Sequence, residues 1–408
     1  MHILMISDVY FPRVNGVSTS IKTFITEHQK LGNRVTLVCP DYTDQTQIEY
    51  DAEYSTIRLP ARRVLFDPED RLIKSGCFQA LIDILQASRI DIIHVQTPFV
   101  AHRFGVKLSG RLNIPCVETY HTFFEEYFHH YIPLVPRRIL RSLSKRFSVN
   151  QCNQLDAVIV PSTAMKNVLS EYGVNTDINI IPTGLQINEF EGGDGLRFRK
   201  THGIAANRPM LIYIGRVALE KNIHFLLDML VVVKQQVPDV LLIIAGEGPA
   251  RKSLQKYTYK LQLADNVMFV GYMSREQELL DCYRAGHAFV FASRTETQGL
   301  VLLEALACGL PVISTAVMGT IDVLDDHEGG CLIADEEVDD FAGKVIKLLY
   351  DNRLQNVLRH QASRYIQLWS APIFARKSSK LYQQLIQEEK IDNDLPSLLP
   401  EPVPEREC

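Results

Sequence analysis

Ten short apolar runs, spaced by longer segments with helical periodicity, constrain this chain more than any other feature. HILMIS (2–7), RVTLVC (34–39), DIIHVQ (91–96), PCVETY (115–120) and AVIVPS (157–162) make one set. MLIYIG (210–215), VLLIIAG (240–246), VMFVG (267–271), AFVFAS (288–293) and PVIST (311–315) make a second. Near-continuous apolar runs of this length suit strands covered on both faces, and their alternation with helices predicts parallel sheets. The expected fold is α/β, with two Rossmann-like parallel-sheet domains. Between the sets lies NEFEGGDG (188–195), whose glycines and polar residues suit a hinge. The first domain is placed at residues 1–187 and the second at 196–371. A break at Pro372 precedes an amphipathic helix over 372–390, with proline in its first turn. Residues 391–408 carry four prolines and no periodicity, and read as a disordered tail.

Composition narrows the class. A length of 408 residues suits two domains, and 46% hydrophobic with 22% charged residues is the balance of a globular protein with sizeable cores. The net charge of −5 argues against nucleic acid as a partner. Eight cysteines are scattered without a C-x-x-C pair, as expected of reduced thiols in the cytoplasm. The start, MHILMISDVYFP, lacks the basic region and cleavage site of a signal peptide, and no apolar run nears the ~20 residues that span a bilayer. A cytoplasmic protein whose membrane contact is at most peripheral is expected.

Ligands of such sheets bind at the carboxyl ends of strands, so two sheets facing across a hinge would share one cleft. Three segments place chemistry there. After the first strand, Asn15-Gly16 turns the chain into a helix that Ser18 is expected to cap, leaving N–H groups for a phosphate. An ordinary Asn-Gly turn reads the same way, and the absence of G-x-G-x-x-G disfavours a dinucleotide. In YIGRVALEKN, Arg216 follows a strand end and Lys221 precedes a helix; two such cations can hold a diphosphate, or simply be surface charges. In TETQGLVLLEAL, Glu296 sits in a loop and Glu304 inside the helix opened by Gly299 and Leu300. A carboxylate beside phosphates repels them unless hydroxyls or cations intervene, so two polyols flanking a diphosphate fit this pair. His121, at another strand end, is either a sugar contact or a structural histidine. Glu125 and Glu126 either bind an acceptor or favour the start of the next helix. Gly271, Tyr272 and Met273 are placed against a base, largely through their backbone.

Residues 127–155 contain no Asp or Glu but carry Arg137, Arg138, Arg141, Lys145 and Arg146. On a helical wheel Ile139, Leu140, Leu143 and Phe147 cluster opposite these cations. Such a helix either lies on anionic lipid or packs its apolar side on its own domain.

Taken in order over residues 1–390, NGVSTS, TYHT, PTGL, GRVALEKN, GEGP and TETQGLVLLEALACGLPVIS resemble the family 4 retaining glycosyltransferases of the two-domain GT-B fold. YHTFFEEYFHHYIP and TETQGL are most similar to bacterial diacylglycerol glucosyltransferases, with related mannosyltransferases sharing much of the pattern. The resemblance implies that Glu304 binds the ribose and Glu296 the donor hexose. It implies that Arg216 and Lys221 clamp the diphosphate, that Gly16 packs against the phosphates, and that His121 contacts the hexose beside the reacting carbon. It further implies a last helix crossing back onto the first domain, and front-face displacement without bound metal or cofactor. The absence of an Asp-x-Asp pair at a strand end agrees with that. The expected reaction moves a hexose from a UDP-glucose- or GDP-mannose-type donor to a membrane lipid such as 1,2-diacylglycerol. Transfer to a soluble or envelope-glycan precursor is the nearest alternative, and a silent sugar-nucleotide-binding partner is another.

Overall fold

The structure, a computed structural model, describes residues 1–43, 47–51, 55–64, 71–86, 88–121, 137–325 and 327–394. Its first sheet is built from β1 (His2–Ile6), β2 (Arg34–Pro40), β3 (Glu49–Asp51) and β4 (Thr56–Leu59), followed by the small β5 (Ala61–Arg63) and β6 (Arg71–Ile73) pair, which stands apart. It continues with β7 (Ile92–Val95), β8 (Cys116–Thr119), β9 (Ala157–Val160) and β10 (Ile178–Ile180). Strand order is β10-β9-β8-β7-β1-β2-β4-β3, parallel except for the antiparallel edge strand β3. The second sheet comprises β11 (Met210–Ile214), β12 (Leu241–Ala245), β13 (Val267–Gly271), β14 (Ala288–Phe291), β15 (Val312–Ser314) and β16 (Cys331–Ile333). Its order, β13-β12-β11-β14-β15-β16, is wholly parallel.

All ten predicted runs form strands. Those nearest the sheet centres are buried from end to end, which is why their sequences do not alternate. The strands not anticipated among the described residues are three- or four-residue pieces such as Thr56–Leu59 and Ile178–Ile180, too short to show a period. Each sheet has a point where the winding reverses, between β1 and β7 in one and between β11 and β14 in the other. There the connections leave in opposite directions and open a crevice at the carboxyl ends.

The helix after β1 differs from expectation in its cap. It spans Gly16–Lys30, and Asn15, in extended conformation, accepts from the Ser18 N–H at 2.9 Å. Ser18 lies buried inside the first turn, and its hydroxyl donates to the Arg13 carbonyl (2.6 Å). Asn is as good a cap as Ser, and the tight turn puts it at the boundary first.

The final helix, Ala371–Asp394, holds Pro372 in its first turn, where no intrahelical N–H is needed, and runs four residues beyond the predicted end. Residues 395–408 lie outside the described residues. The helix packs on Gly16–Lys30, under the first sheet. Backbone bonds tie its start to the first lobe: Ala371 N–H donates to Leu185 O (2.9 Å) and Leu185 N–H to Trp369 O (2.8 Å). Gly184 is required there, because a Cβ would lie 2.4 Å from Ala371 Cα. Further along, Tyr382 OH meets His94 Nδ1 (2.7 Å), and His94 Nε2 meets Thr119 Oγ1 (2.7 Å). His28 Nε2 donates to Ser378 Oγ (2.9 Å), whose own proton goes to Ala375 O. All of these side chains except Thr119 are fully buried, and Thr119 is nearly so.

Burial holds both histidines neutral. It pushes His28 down to about 4 and His94 well below its ordinary value. The unfolded chain takes up protons on them below about pH 6.5 while the folded chain does not, so their contribution is intact above that pH and is lost towards pH 4. Buried Asp8, raised to about 6, works in the opposite sense between about pH 6 and 4 and offsets one of the buried histidines there, among which His121 is also pushed down to about 4. Stability should therefore fall on acidification from pH 7 to 5, by up to about 1.4 kcal/mol per pH unit for each uncompensated histidine. Urea unfolding at several pH values checks this, and His28→Gln should flatten the dependence.

Candidate functional site

The two crevices face each other and merge into a cavity of about 1110 Å³. From the first lobe it is lined by Arg13–Val17, His121 and Thr183; from the second by Arg216, Lys221, Gly271–Met273, Glu296, Gly299, Leu300 and Glu304. All donor-side residues named from the sequence thus border one space. Those of the second lobe follow strand ends: Gly215-Arg216 after β11 and the loop to Glu296 after β14, on either side of the reversal point, and Gly271–Met273 at the end of β13.

Close backbone packing shapes the floor. At Gly246 (φ +127°) a Cβ would fall 2.1 Å from Gly215 O, and at Gly248 (φ +159°) one would fall 2.3 Å from Val217 O. The GEGP loop can therefore lie on the GRV loop only because it lacks side chains there. Gly299, at φ +95°, turns the chain into the helix Leu300–Ala307, whose first N–H groups have no intrahelical partners. Asn222 adopts the left-handed region at φ +54° and donates to Glu336 Oε1 (2.9 Å), which steadies the turn carrying Lys221.

Glu296 and Glu304 are each held by a cation. Lys221 Nζ lies 2.7 Å from Glu296 Oε2, both side chains about one-fifth exposed. Glu304, buried, accepts from Arg275 (2.6 Å) and from the Tyr283 hydroxyl (3.0 Å). The Glu304 carboxylate in turn raises the proton affinity of Arg275. Neither Arg275 nor Tyr283 was anticipated. Arg275 follows the Gly271–Met273 stretch by two residues but carries no periodic or motif signal, and Tyr283 reads as an ordinary core aromatic.

His121 follows β8 and lines the cavity, with Nε2 3.0 Å from Gln96 Oε1. Burial pushes its pKa down to about 4, so the ring is neutral at physiological pH. Its carbonyl accepts from the Thr297 hydroxyl of the second lobe (3.1 Å). Beside it Gln298 fastens the lobes as a strand would: Thr183 N–H donates to Gln298 Oε1 (2.9 Å) and Gln298 Nε2 donates to Thr183 O (2.7 Å). Sequence reasoning passed over Gln298, since an isolated glutamine in a loop gives no sign that its partner lies 115 residues away.

On the first lobe, the helix Arg137–Cys152 departs from the wheel-based expectation. Leu140, Ser144 and Ser148 face inward, and Phe147 is partly buried. Ile139 and Leu143, expected beside Leu140, are 51% and 55% exposed. Leu140, Ser144 and Ser148 form the side that fits against the lobe, and Ile139 and Leu143 fall outside it. Arg138, Arg141, Lys145 and Arg146 are exposed alongside them. Arg137 opens the helix, while Glu125 and Glu126 lie outside the described residues. No described helix is long and apolar enough to cross a membrane.

Comparison with known proteins gives these features their context. The family model described as Glycosyltransferase Family 4 matches residues 14–189, and that described as Glycosyl transferases group 1 matches residues 196–365. An alpha-monoglucosyldiacylglycerol synthase of Streptococcus pneumoniae is 31% identical over 402 residues, 97% of this chain and 88% of that one. An enzyme of the same name from Acholeplasma laidlawii is 23% identical, covering 95% of this chain and 98% of its own. Among solved structures, Anabaena HepE in complex with UDP-glucose superposes with a TM-score of 0.73 at 17% identity, covering 94% of this chain and all of that one. The sucrose-phosphate synthase of Thermosynechococcus elongatus gives 0.72 at 22% identity, covering 95% and 99%. Two doubly wound lobes facing one cavity give the GT-B fold, and the family matches with the 31%-identical relative make the chain a hexosyltransferase. It belongs to glycosyltransferase family 4.

The interlobe bonds give a direct expectation. Gln298→Leu leaves the buried N–H and C=O of Thr183 without partners and should lower stability by about 1–3 kcal/mol, measured by equilibrium urea unfolding.

Proposed function

We propose that the enzyme transfers a hexose, glucose in the first instance, from a nucleoside-diphosphate sugar to a membrane lipid such as 1,2-diacylglycerol, with retention of configuration. The observation that carries the lipid reading is the helix Arg137–Cys152, which exposes Ile139 and Leu143 among four exposed cations. Apolar side chains that dip into the interface and cations that meet anionic headgroups are the two components of peripheral binding, each cation contributing about 1 kcal/mol. Similarity over nearly the whole chain to two enzymes named as glucosyldiacylglycerol synthases supports the same acceptor.

The cavity suits the donor in this reading. The base lies against Gly271–Met273, and the ribose diol bonds Glu304, whose remaining lone pairs stay open beside Arg275 and Tyr283. The diphosphate sits among Arg216, Lys221, Gly16 and the first N–H groups of the Leu300 helix. Glu296, oriented by Lys221, and His121 address the hexose. As the bond from the anomeric carbon to the phosphate oxygen breaks, negative charge grows on the diphosphate and the two cations stabilise it. The departing phosphate oxygen takes the proton of the acceptor hydroxyl, which attacks from the same face, so retention needs no protein nucleophile. These cations supply the positive charge, and no bound metal or cofactor is required.

A panel of radiolabelled UDP- and GDP-sugars, offered with diacylglycerol in anionic vesicles, should give a lipid-linked hexose with UDP-glucose, undiminished by EDTA. Preference for a GDP-mannose donor would point to the mannosyltransferase alternative, which similarity to a mannosyltransferase of Corynebacterium glutamicum keeps in view. Equal turnover on soluble sugars without vesicles would reject the lipid acceptor, and binding of donor without any turnover would identify a silent partner. In kinetics on the preferred donor, Arg216→Ala or Lys221→Ala should raise the barrier by ~2–4 kcal/mol. Glu304→Ala should act mainly on donor KM.

A further inference from the structure

Gln96 directly follows β7, at the reversal point of the first sheet, and is 1% exposed. Its Oε1 faces His121 Nε2 at 3.0 Å. An amide oxygen only accepts, so Nε2 carries the proton of the neutral ring and Nδ1 keeps a lone pair. His121 lines the cavity. With Nε2–H committed to Gln96, the only hydrogen bond the neutral His121 ring has left to offer is an accepted one. The carbonyl of the same residue is tied to Thr297, next to Glu296, so ring and carboxylate border one stretch of the cavity. Meanwhile Gln96 Nε2 is buried with no hydrogen-bond partner among the described residues. An unpaired buried amide weakens the fold, and an apolar residue of similar size would avoid that loss. What glutamine provides at this position is the fixed ring.

We propose that Gln96 is a positioning residue that sets the tautomer of His121, so that its Nδ1 accepts a hydrogen bond from a hydroxyl of the transferred hexose. This rests on the donor reading above. A hexose hydroxyl lodged between His121 and Glu296 then finds two acceptors, which selects sugars that carry a hydroxyl there and disfavours their deoxy counterparts.

Two variants and three readouts test it. In protein labelled with ¹⁵N-histidine, the His121 ring, identified by the signals missing in His121→Gln, should show an unprotonated Nδ1. Gln96→Leu should mix the two tautomers. The same variant should bind UDP-glucose about tenfold more weakly and UDP, which lacks the hexose, as before. Gln96→Glu places a carboxylate on Nε2–H, raises the basicity of the ring, and should add a tenfold loss of kcat/KM between pH 8 and 6 beyond that of the wild type. A protonated Nδ1 in the wild type, or an unchanged tautomer in Gln96→Leu, overturns the proposal whatever sugar the enzyme uses. The expected tautomers combined with equal losses of UDP and UDP-glucose binding would instead overturn the hexose contact.

Discussion

Negative charge is the constraint on which the site depends. On the proposed donor reading, the cavity that receives a diphosphate also carries Glu296 and Glu304, and a carboxylate about 4 Å from a phosphate opposes it by roughly 4 kcal/mol at a protein-like effective dielectric. That is half the binding free energy of a micromolar ligand. The structure removes the conflict by giving each acid a cation at 2.6–2.7 Å: Arg275 for Glu304 and Lys221 for Glu296. Paired in this way the carboxylates retain lone pairs for hydroxyls while their charge is locally cancelled. Lys221 thereby joins two tasks, holding Glu296 and standing beside the space assigned to the diphosphate.

These pairs could not be assembled on one segment. Lys221 and Glu296 are 75 residues apart and meet because β11 and β14 are neighbours across the reversal of the second sheet. The opposing wall is kept in place by equally long-range contacts. Gln298 replaces a missing strand partner for Thr183, Thr297 holds the His121 carbonyl, and the final helix plugs Tyr382 onto His94 behind the first sheet. Rigid sheets that bring strand ends together, and a few polar bonds that close the seam, are what convert scattered residues into one cavity.

Much of this was legible beforehand, for identifiable reasons. Buried parallel strands must be apolar along their whole length, so ten of them announce themselves as runs. Arg216, Lys221, Glu296 and Glu304 stand beside such runs, where the carboxyl-end rule gives them a common destination. Ser18 was a poorer guess than Asn15, since both are good caps and only the backbone decides which residue stands at the boundary. The wheel of the basic helix placed Ile139 and Leu143 with Leu140, but an apolar stripe does not reveal how much of it the rest of the lobe covers. Arg275, Gln298 and Gln96 left no trace, because a single polar residue has no periodicity and acquires its meaning from a distant partner.

The sequence by itself determined the doubly wound architecture and the types of chemistry available, since both follow from short-range pattern: apolar runs, turn glycines, and charges at strand ends. Tertiary structure alone decided which charges neutralise one another, which face of the basic helix meets solvent, and which nitrogen of His121 bears its proton. Those outcomes depend on distances of about 3 Å between residues far apart in the chain, and the packing of the whole molecule sets such distances.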